Sequence, residues 1–353
     1  MWLLNTDNYT LRQFDKPPGR YAILSHVWQH DGPEPEQDFH QVHAARSAKS
    51  ISRKIREFCK HARAQGFHWA WADTCCVDRA NSVEFSEATN AVFAWYAGAG
   101  VCFAYLHDVG ASEPPAGAGS AFRRSAWFRR MWTLPELLAP RNMVFCANDW
   151  TALGTKAFFA DVLAEITGID VAVLTFSRPL SSVSVAERMS WASGREATLV
   201  EDEAYALLGI FDVNMPTIYG EGRRAFQRLQ EEIMRTSPDQ TLFVWGESVP
   251  RSGNYPTHDP SPTTALYAPP YDSHNDPAQK FTTHDTLSMN LMAPSPSRFK
   301  LIPSLGPPMP ISDTEFAEML SAMICGTKNE ESDVSLTFVV IGGLKFDRPT
   351  AGV

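Results

Sequence analysis

Between Tyr21 and Leu106 three short apolar runs alternate with two longer stretches of helical periodicity, and this alternation constrains the fold more than any other feature of the chain. Tyr21–Trp28 (YAILSHVW) is too short for a helix between two turn clusters and reads as a buried strand. Ile51–Gln65 places Ile51, Ile55, Phe58, Cys59 and Ala62 at helical spacing, and Gly66 stops it. Phe67–Val77 reads as a second strand, Glu84–Ala97 as a second helix, and Val101–Leu106 as a third strand after the break at Gly98–Gly100. Strand and helix in strict alternation predict an α/β fold: a parallel sheet, right-handed crossovers, and helices burying both faces. Ligands of such sheets gather at the C-terminal ends of the strands. Ser25, His26 and Trp28 fall at that end of the first strand, and Asp73 near that end of the second.

Past the Gly/Ala/Pro/Ser loop Gly110–Ser120, the stretch Ser125–Pro140 (SAWFRRMWTLPELLAP) sets one carboxylate, Glu136, among residues that otherwise read as core. Read as a helix, it stacks Trp127, Met131, Leu134 and Leu138 on one buried face. Trp132 and Glu136 are then one turn apart, so the indole walls a pocket that holds the acid. Pro135 lacks an N–H and begins or kinks this helix. The alternative for Glu136 is a first-turn acid that favours a helix N-terminus. Arg129 and Arg130 pair either with nucleotide phosphates or with surface acids. Asn142–Cys146 follows as a fourth strand.

Composition limits what this sheet can serve. With 353 residues, 44% of them hydrophobic, the chain buries a sizeable core and is expected to form more than one unit. A net charge of −9 provides no overall positive field, so neither nucleic acid nor a membrane surface is an expected partner. Asn5, Asp7, Asn8 and Arg12 interrupt the apolar start before a signal sequence forms. The longest later apolar run, Leu336–Leu344, is far short of the ~20 residues that span a bilayer. Six cysteines in a chain this long, two of them adjacent at Cys75 and Cys76, make no disulfide framework and fit a reducing cytoplasm. Cys59, His61, His68, Cys75 and Cys76 lack the spacing of a closed zinc site, and no metal is expected.

Thr151–Met234 is mostly helical, with helices expected at Lys156–Thr167, Val185–Ser193, Glu201–Phe211 and Arg223–Arg235. Gly220-Glu-Gly222-Arg-Arg-Ala225 matches a dinucleotide-binding pattern by letter but follows no long strand, and it reads as a loop feeding the last helix. Pro250–Pro310 is rich in Pro, Ser and Thr; Leu287–Leu291, Phe299–Ile302 and Ser335–Leu344 are apolar enough for short strands. The expected organisation is a core domain over residues 1–150, a helical extension over 151–246 packed on it, and a Pro/Ser-rich segment with a small β unit over 247–353.

Three blocks carry a resemblance to a known family. LSHVW at Leu24–Trp28, DTCCVD at Asp73–Asp78 and WFRRMWTLPEL at Trp127–Leu137 follow, in order and spacing, the LSxxW, D-x-x-C-I-D and W-F-x-R-G-W-T-L-Q-E-L blocks of the heterokaryon-incompatibility (HET) domain of filamentous fungi. Gln29, Met131 and Pro135 depart from that pattern. The stretch from Ser190 to Ile233, and Leu242–Trp245 as its closing strand, resemble the extension that follows the HET core, so the resemblance covers about two thirds of the chain. HET domains in turn resemble the Toll/interleukin-1 receptor (TIR) fold, which implies a TIR/flavodoxin-like parallel sheet. The TIR pattern S-x-x-W-C-x-x-E-L has its tryptophan-to-glutamate spacing at Trp132 and Glu136. In TIR domains that cleave NAD this glutamate is catalytic. The resemblance therefore implies a catalytic Glu136, a substrate site lined by Ser25, His26, Trp28, Asp73, Arg130 and Trp132, NAD as substrate, and no cofactor. It also implies a role in non-self recognition and cell death when incompatible cells fuse, with HET-domain or other protein partners. A non-catalytic homotypic signalling module, in which the tryptophans are simply core, is the alternative.

Overall fold

The computed structural model describes residues 1–17, 19–29, 36–243, 245, 247–248, 265–267, 292–299 and 337–339. The chain divides into two compact units, Met1–Ser182 with Arg195–Leu229, and Val183–Gly194 with Gln230–Val353.

A seven-stranded sheet organises the first unit. The hairpin of β1 (Trp2–Asn5) and β2 (Leu11–Gln13) opens the chain. β3 (Ala22–His26) is buried along its whole length, as a strand covered on both faces must be. α1 (Phe39–Ala44), capped by Asp38, and α2 (Arg53–Ala64), capped by Ser52, lead to β4 (Trp69–Trp71). Ile55, Phe58, Cys59 and Ala62 form the buried stripe of α2. α3 (Ser82–Gly98), capped by Asn81, leads to β5 (Val101–Tyr105). α4 (Ala121–Arg124), a 3-10 turn at Ala126–Arg129 and α5 (Thr133–Leu138) precede β6 (Met143–Cys146), and β7 (Ala152–Thr155) ends the sheet.

The strand order is β2-β1-β4-β3-β5-β6-β7. β4, β3, β5 and β6 run parallel, and β1 and β7 join them antiparallel. This is the expected α/β class, with antiparallel edges added. From β3 the chain crosses to β4 on one side and then to β5 on the other. The strand order therefore reverses at β3, and a reversal of this kind opens a crevice beyond the C-terminal strand ends, where open α/β sheets bind ligands. β3 ends in Ser25 and His26.

Several elements differ from their expected form. The second strand stops at Trp71 because the amides of Cys75 and Cys76 turn back onto the Ala72 carbonyl, at 3.3 and 2.8 Å, so Asp73 stands on a turn beyond the strand. Ser125–Pro140 is not one helix. After the 3-10 turn Arg130 is extended and pairs with Glu196: Met131 N–H donates to the Glu196 carbonyl at 2.9 Å, and Glu196 N–H to Arg129 at 2.6 Å. The helix restarts at Thr133, which leaves Pro135 in its first turn, where a missing N–H costs nothing. Glu201–Phe211 is two short helices, α9 (Asp202–Tyr205) and α10 (Leu208–Phe211), reached after α6 (Ala160–Thr167), α7 (Val171–Leu174) and α8 (Val185–Ser190). α11 (Arg224–Thr236) follows.

In the second unit, Asp239 and Thr241 accept the first amides of α8 at 2.7 and 3.0 Å. The buried Gln230 amide exchanges two 2.9 Å hydrogen bonds with the Ala293 backbone. Leu242 and Phe243, expected to begin the strand Leu242–Trp245, fall in a 3-10 turn, Gln240–Phe243, and Phe299, expected to begin the strand Phe299–Ile302, ends another, Pro296–Phe299. β8 (Glu247–Ser248), β9 (Ala265–Tyr267) and β10 (Thr337–Val339) pair as a small antiparallel sheet; Leu287–Leu291 lies outside the described residues. Among the described residues no helix is long and apolar enough to cross a membrane.

Candidate functional site

Two sets of hydrogen-bonded side chains meet where β3 ends. In the first, the Trp127 indole N–H donates to Ser25 Oγ at 2.8 Å, and the Ser25 hydroxyl donates to Glu136 Oε2. Trp127 and Ser25 are fully buried and Glu136 is 6% exposed. A serine inside a fully buried strand needs partners for both of its hydrogen-bonding roles, and these two supply them. Tyr96, on α3, donates its hydroxyl proton to the Leu24 carbonyl at 2.7 Å and stands within hydrogen-bond reach of Glu136.

In the second set, Asp73 accepts the Trp28 indole N–H at 2.7 Å and lies 3.1 Å from His26 Nε2. Lys54, on α2, is 3.2 Å from the other ring nitrogen of His26 and pairs with Glu36. An ammonium has only protons to donate, so His26 Nδ1 accepts from Lys54. Nε2 is then the nitrogen that carries a proton toward Asp73, and it donates to that carboxylate.

The two carboxyls are driven in opposite directions. Burial raises Glu136 well above the usual glutamate range, and the charge of Asp73 adds to the rise; Ser25, Tyr96 and Arg195 oppose it. Burial alone would raise Asp73 too, but its bond from His26, the charge of Arg79 and the Trp28 N–H hold it below the usual range. Arg195 reaches the same place from the segment after α8. Its guanidinium donates to the Arg130 carbonyl and to Thr133 Oγ1, both at 2.9 Å, and burial lowers it to about 9 while the Glu136 charge resists.

An aromatic rim adjoins these groups. The Arg79 guanidinium lies 4.2 Å from the centre of the Trp28 ring and 5.0 Å from that of Phe85. Phe85 stacks on Tyr219, whose hydroxyl donates to Asp202 at 3.0 Å. Trp132 hydrogen-bonds the same Asp202, whose carboxyl burial raises despite both bonds.

The structure thus brings Ser25, His26, Trp28, Asp73 and Glu136 to one place. Arg130 and Trp132 go elsewhere: Arg130 donates to Thr198 Oγ1 at 2.7 Å, and Trp132 serves Asp202. The indole linked to Glu136 is that of Trp127, which the sequence reading assigned to core. Tyr96, Lys54, Arg79 and Arg195 were not singled out either. Trp127 had a signal in the W-F block; the others arrive by tertiary packing and had none. The amides of Gly220 and Gly222, at positive φ, both donate to Glu201 at 2.8 and 2.9 Å, so this loop binds its own carboxylate in place of a phosphate. Among the described residues no three His, Cys, Asp or Glu side chains gather as metal ligands. A cavity lined by Trp2, Gln13, Asn81, Glu84 and Trp95 includes none of the five converging residues.

Comparison with known proteins bears on the same strand ends. Residues 21–120 match the family model of the heterokaryon incompatibility protein (HET). Residues 21–120 are a HET domain. That match includes Ser25, His26, Trp28 and Asp73 and ends before Glu136. The chain is 40% identical over 228 residues to vegetative incompatibility protein HET-E-1 of Podospora anserina, an alignment covering 62% of this chain and 17% of that relative. The chain therefore spans about a sixth of the relative's length. Residues 224–307, after the HET domain, match a domain of unknown function, DUF8212. No solved structure matches the chain.

Proposed function

We propose that this HET-domain chain acts in fungal heterokaryon incompatibility, and that it does so by hydrolysing NAD at a TIR-like site built on Glu136. The observation that carries the chemistry is the buried Trp127–Ser25–Glu136 relay at the strand-order reversal, with Asp73 charged beside it. The central order β4-β3-β5-β6 of parallel strands is that of a flavodoxin-like sheet, which supports the TIR comparison.

NAD carries a cationic nicotinamide, so its leaving group needs no general acid. The glycosidic bond breaks with its electron pair going to nicotinamide, which leaves neutral. Water adds its oxygen to the ribose carbon, and one proton is released. The demand on the protein is a negative charge beside the oxocarbenium-like carbon. Glu136 meets that demand once ionised. Its raised proton affinity means that a bound cationic ring favours ionisation at the point of use, because an adjacent positive charge lowers a carboxyl. Ser25 holds the carboxylate oriented, and His26 keeps Asp73 charged at the more open side, where 25% of its side chain remains exposed. Assembly with other HET-domain chains or proteins is the proposed trigger, and death of the fused cell the outcome.

The test is purified protein incubated with NAD, with nicotinamide read by chromatography, alongside Glu136→Gln. Release by the parent and loss of about a hundredfold or more in the variant are expected, the size of removing a preorganised charge. A folded parent that releases no nicotinamide, alone or when assembled, leaves the homotypic signalling module as the reading of this domain.

A further inference from the structure

We propose that the outer face of Trp28, with Asp73 at its edge, is a subsite for a flat organic cation, and that Arg79 occupies it in the absence of ligand. This deepens the site proposed above and rests on that reading only in taking a pyridinium as the natural cation.

The geometry is that of a cation site. The Trp28 indole donates to Asp73 at 2.7 Å, and donation to a carboxylate enriches the ring's electron density, which strengthens its attraction for a cation over its face. Asp73 is held in that orientation by His26, itself fixed by Lys54. The site thus presents an electron-rich plane with a carboxylate at its edge. The structure fills it with a flat cation from its own chain, the Arg79 guanidinium, 4.2 Å from the ring centre. A guanidinium and a pyridinium share planarity, a delocalised single charge and the capacity to stack on an indole.

Arg79 is suited to leaving. It stands on the exposed turn between Asp78 and the start of α3 at Ser82, so its side chain can move into water without disturbing helix or sheet. Cation–π contacts at exposed positions are weak, and solvation of the freed guanidinium offsets much of their loss. Phe85, 5.0 Å from the guanidinium, gives the departing side chain a second aromatic surface. A neutral heterocycle has the stacking but not the charge, and it does not compete for the same place.

The experiment measures binding, not turnover. The probes are 1-methylnicotinamide, a pyridinium cation that has no ribosyl bond to break, and nicotinamide, its neutral counterpart, titrated into the full chain by calorimetry. The parent is expected to bind the cation and to prefer it to nicotinamide. Arg79→Ala is expected to tighten the cation about two- to fivefold, the worth of one exposed cation–π contact, and to leave nicotinamide unchanged. Trp28→Phe, which keeps a ring but removes the bond to Asp73, is expected to erase the preference, and Trp28→Leu to abolish cation binding. No cation binding by the parent overturns the proposal, as does an Arg79→Ala variant that binds the cation no tighter, or one that tightens both probes equally. Cation binding without nicotinamide release from NAD would instead sink the hydrolase reading and leave the subsite standing.

Discussion

Replacing Ser25 by Ala tests the relay at its middle. Ser25 is fully buried and is the acceptor for the Trp127 indole N–H, which is also fully buried and has no water to turn to. An orphaned buried donor costs about 1–3 kcal/mol, and loss of the bond to a neutral Glu136 adds roughly 0.5–1.5 kcal/mol. The variant is therefore expected to lose about 2–4 kcal/mol, seen as a fall in Tm of roughly 5–15 °C for a unit of this size. Denaturant titration of Ser25→Ala, Trp127→Phe and the double variant separates the donor's share. With Phe at 127 there is no indole to orphan, so Ser25→Ala there should cost less by about 1–3 kcal/mol, the coupling of the pair. Additive single and double variants, or a Ser25→Ala cost below about 0.5 kcal/mol, would refute the relay as drawn, since surface-like replacements fall in that range.

Glu136→Gln should stabilise the protein at neutral pH while removing activity. A carboxyl whose folded pKa is raised contributes stability present below its unfolded value of 4.5 and lost as pH rises through the folded pKa; the uncharged Gln does not lose it, so the variant's advantage in Tm should grow as pH rises above 4.5. Lys156 shows the opposite sign for a base. It is 2% exposed, donates to the Leu137 and Pro140 carbonyls after α5, and burial lowers it from 10.5 to about 8, so the parent should gain up to about 3 kcal/mol relative to Lys156→Met between those pH values. Gly209→Ala, ordinarily favourable in a helix, should instead cost about 1–3 kcal/mol in urea melts, because the new Cβ would lie 2.1 Å from Phe93 Cβ and force α10 away from α3.

The parallel centre of the sheet was legible because its strands and the helices α2 and α3 are each specified within a window of ten or fifteen residues, whereas β7 fell in a segment read as mostly helical. β3, β5 and α2 announce themselves by apolar spacing, and Ser25, His26, Trp28 and Asp73 could be placed at one sheet edge from strand direction alone. The stretch Ser125–Pro140 was misread for a complementary reason. Its apolar residues do recur at helical spacing, and Trp127, Met131, Leu134 and Leu138 are all buried. Yet Arg130 is extended because it pairs with Glu196, 66 positions later, and no local window contains that partner. Once the helix restarts at Thr133, Trp132 faces Asp202 and Trp127 takes the place beside Glu136 that spacing had given to Trp132. The misassignment of one indole thus follows from a single long-range backbone pairing.

That pairing also connects the two carboxyls to the rest of the chain. The strap Arg195–Thr198 holds Arg129–Thr133 by its backbone and by three side-chain bonds, and it delivers the Arg195 guanidinium to the first turn of α5. Within that turn lies Glu136, whose proton affinity Arg195 opposes. Asp73 needs no such help, since two N–H donors and a cation already hold it charged. The two acids thus shift in opposite directions because the partners of Asp73 outweigh its burial, whereas burial and the charge of Asp73 outweigh the partners of Glu136. The strap lies outside residues 21–120, which match the HET family model, so the cation that opposes the proton affinity of Glu136 comes from a part of the chain beyond that match.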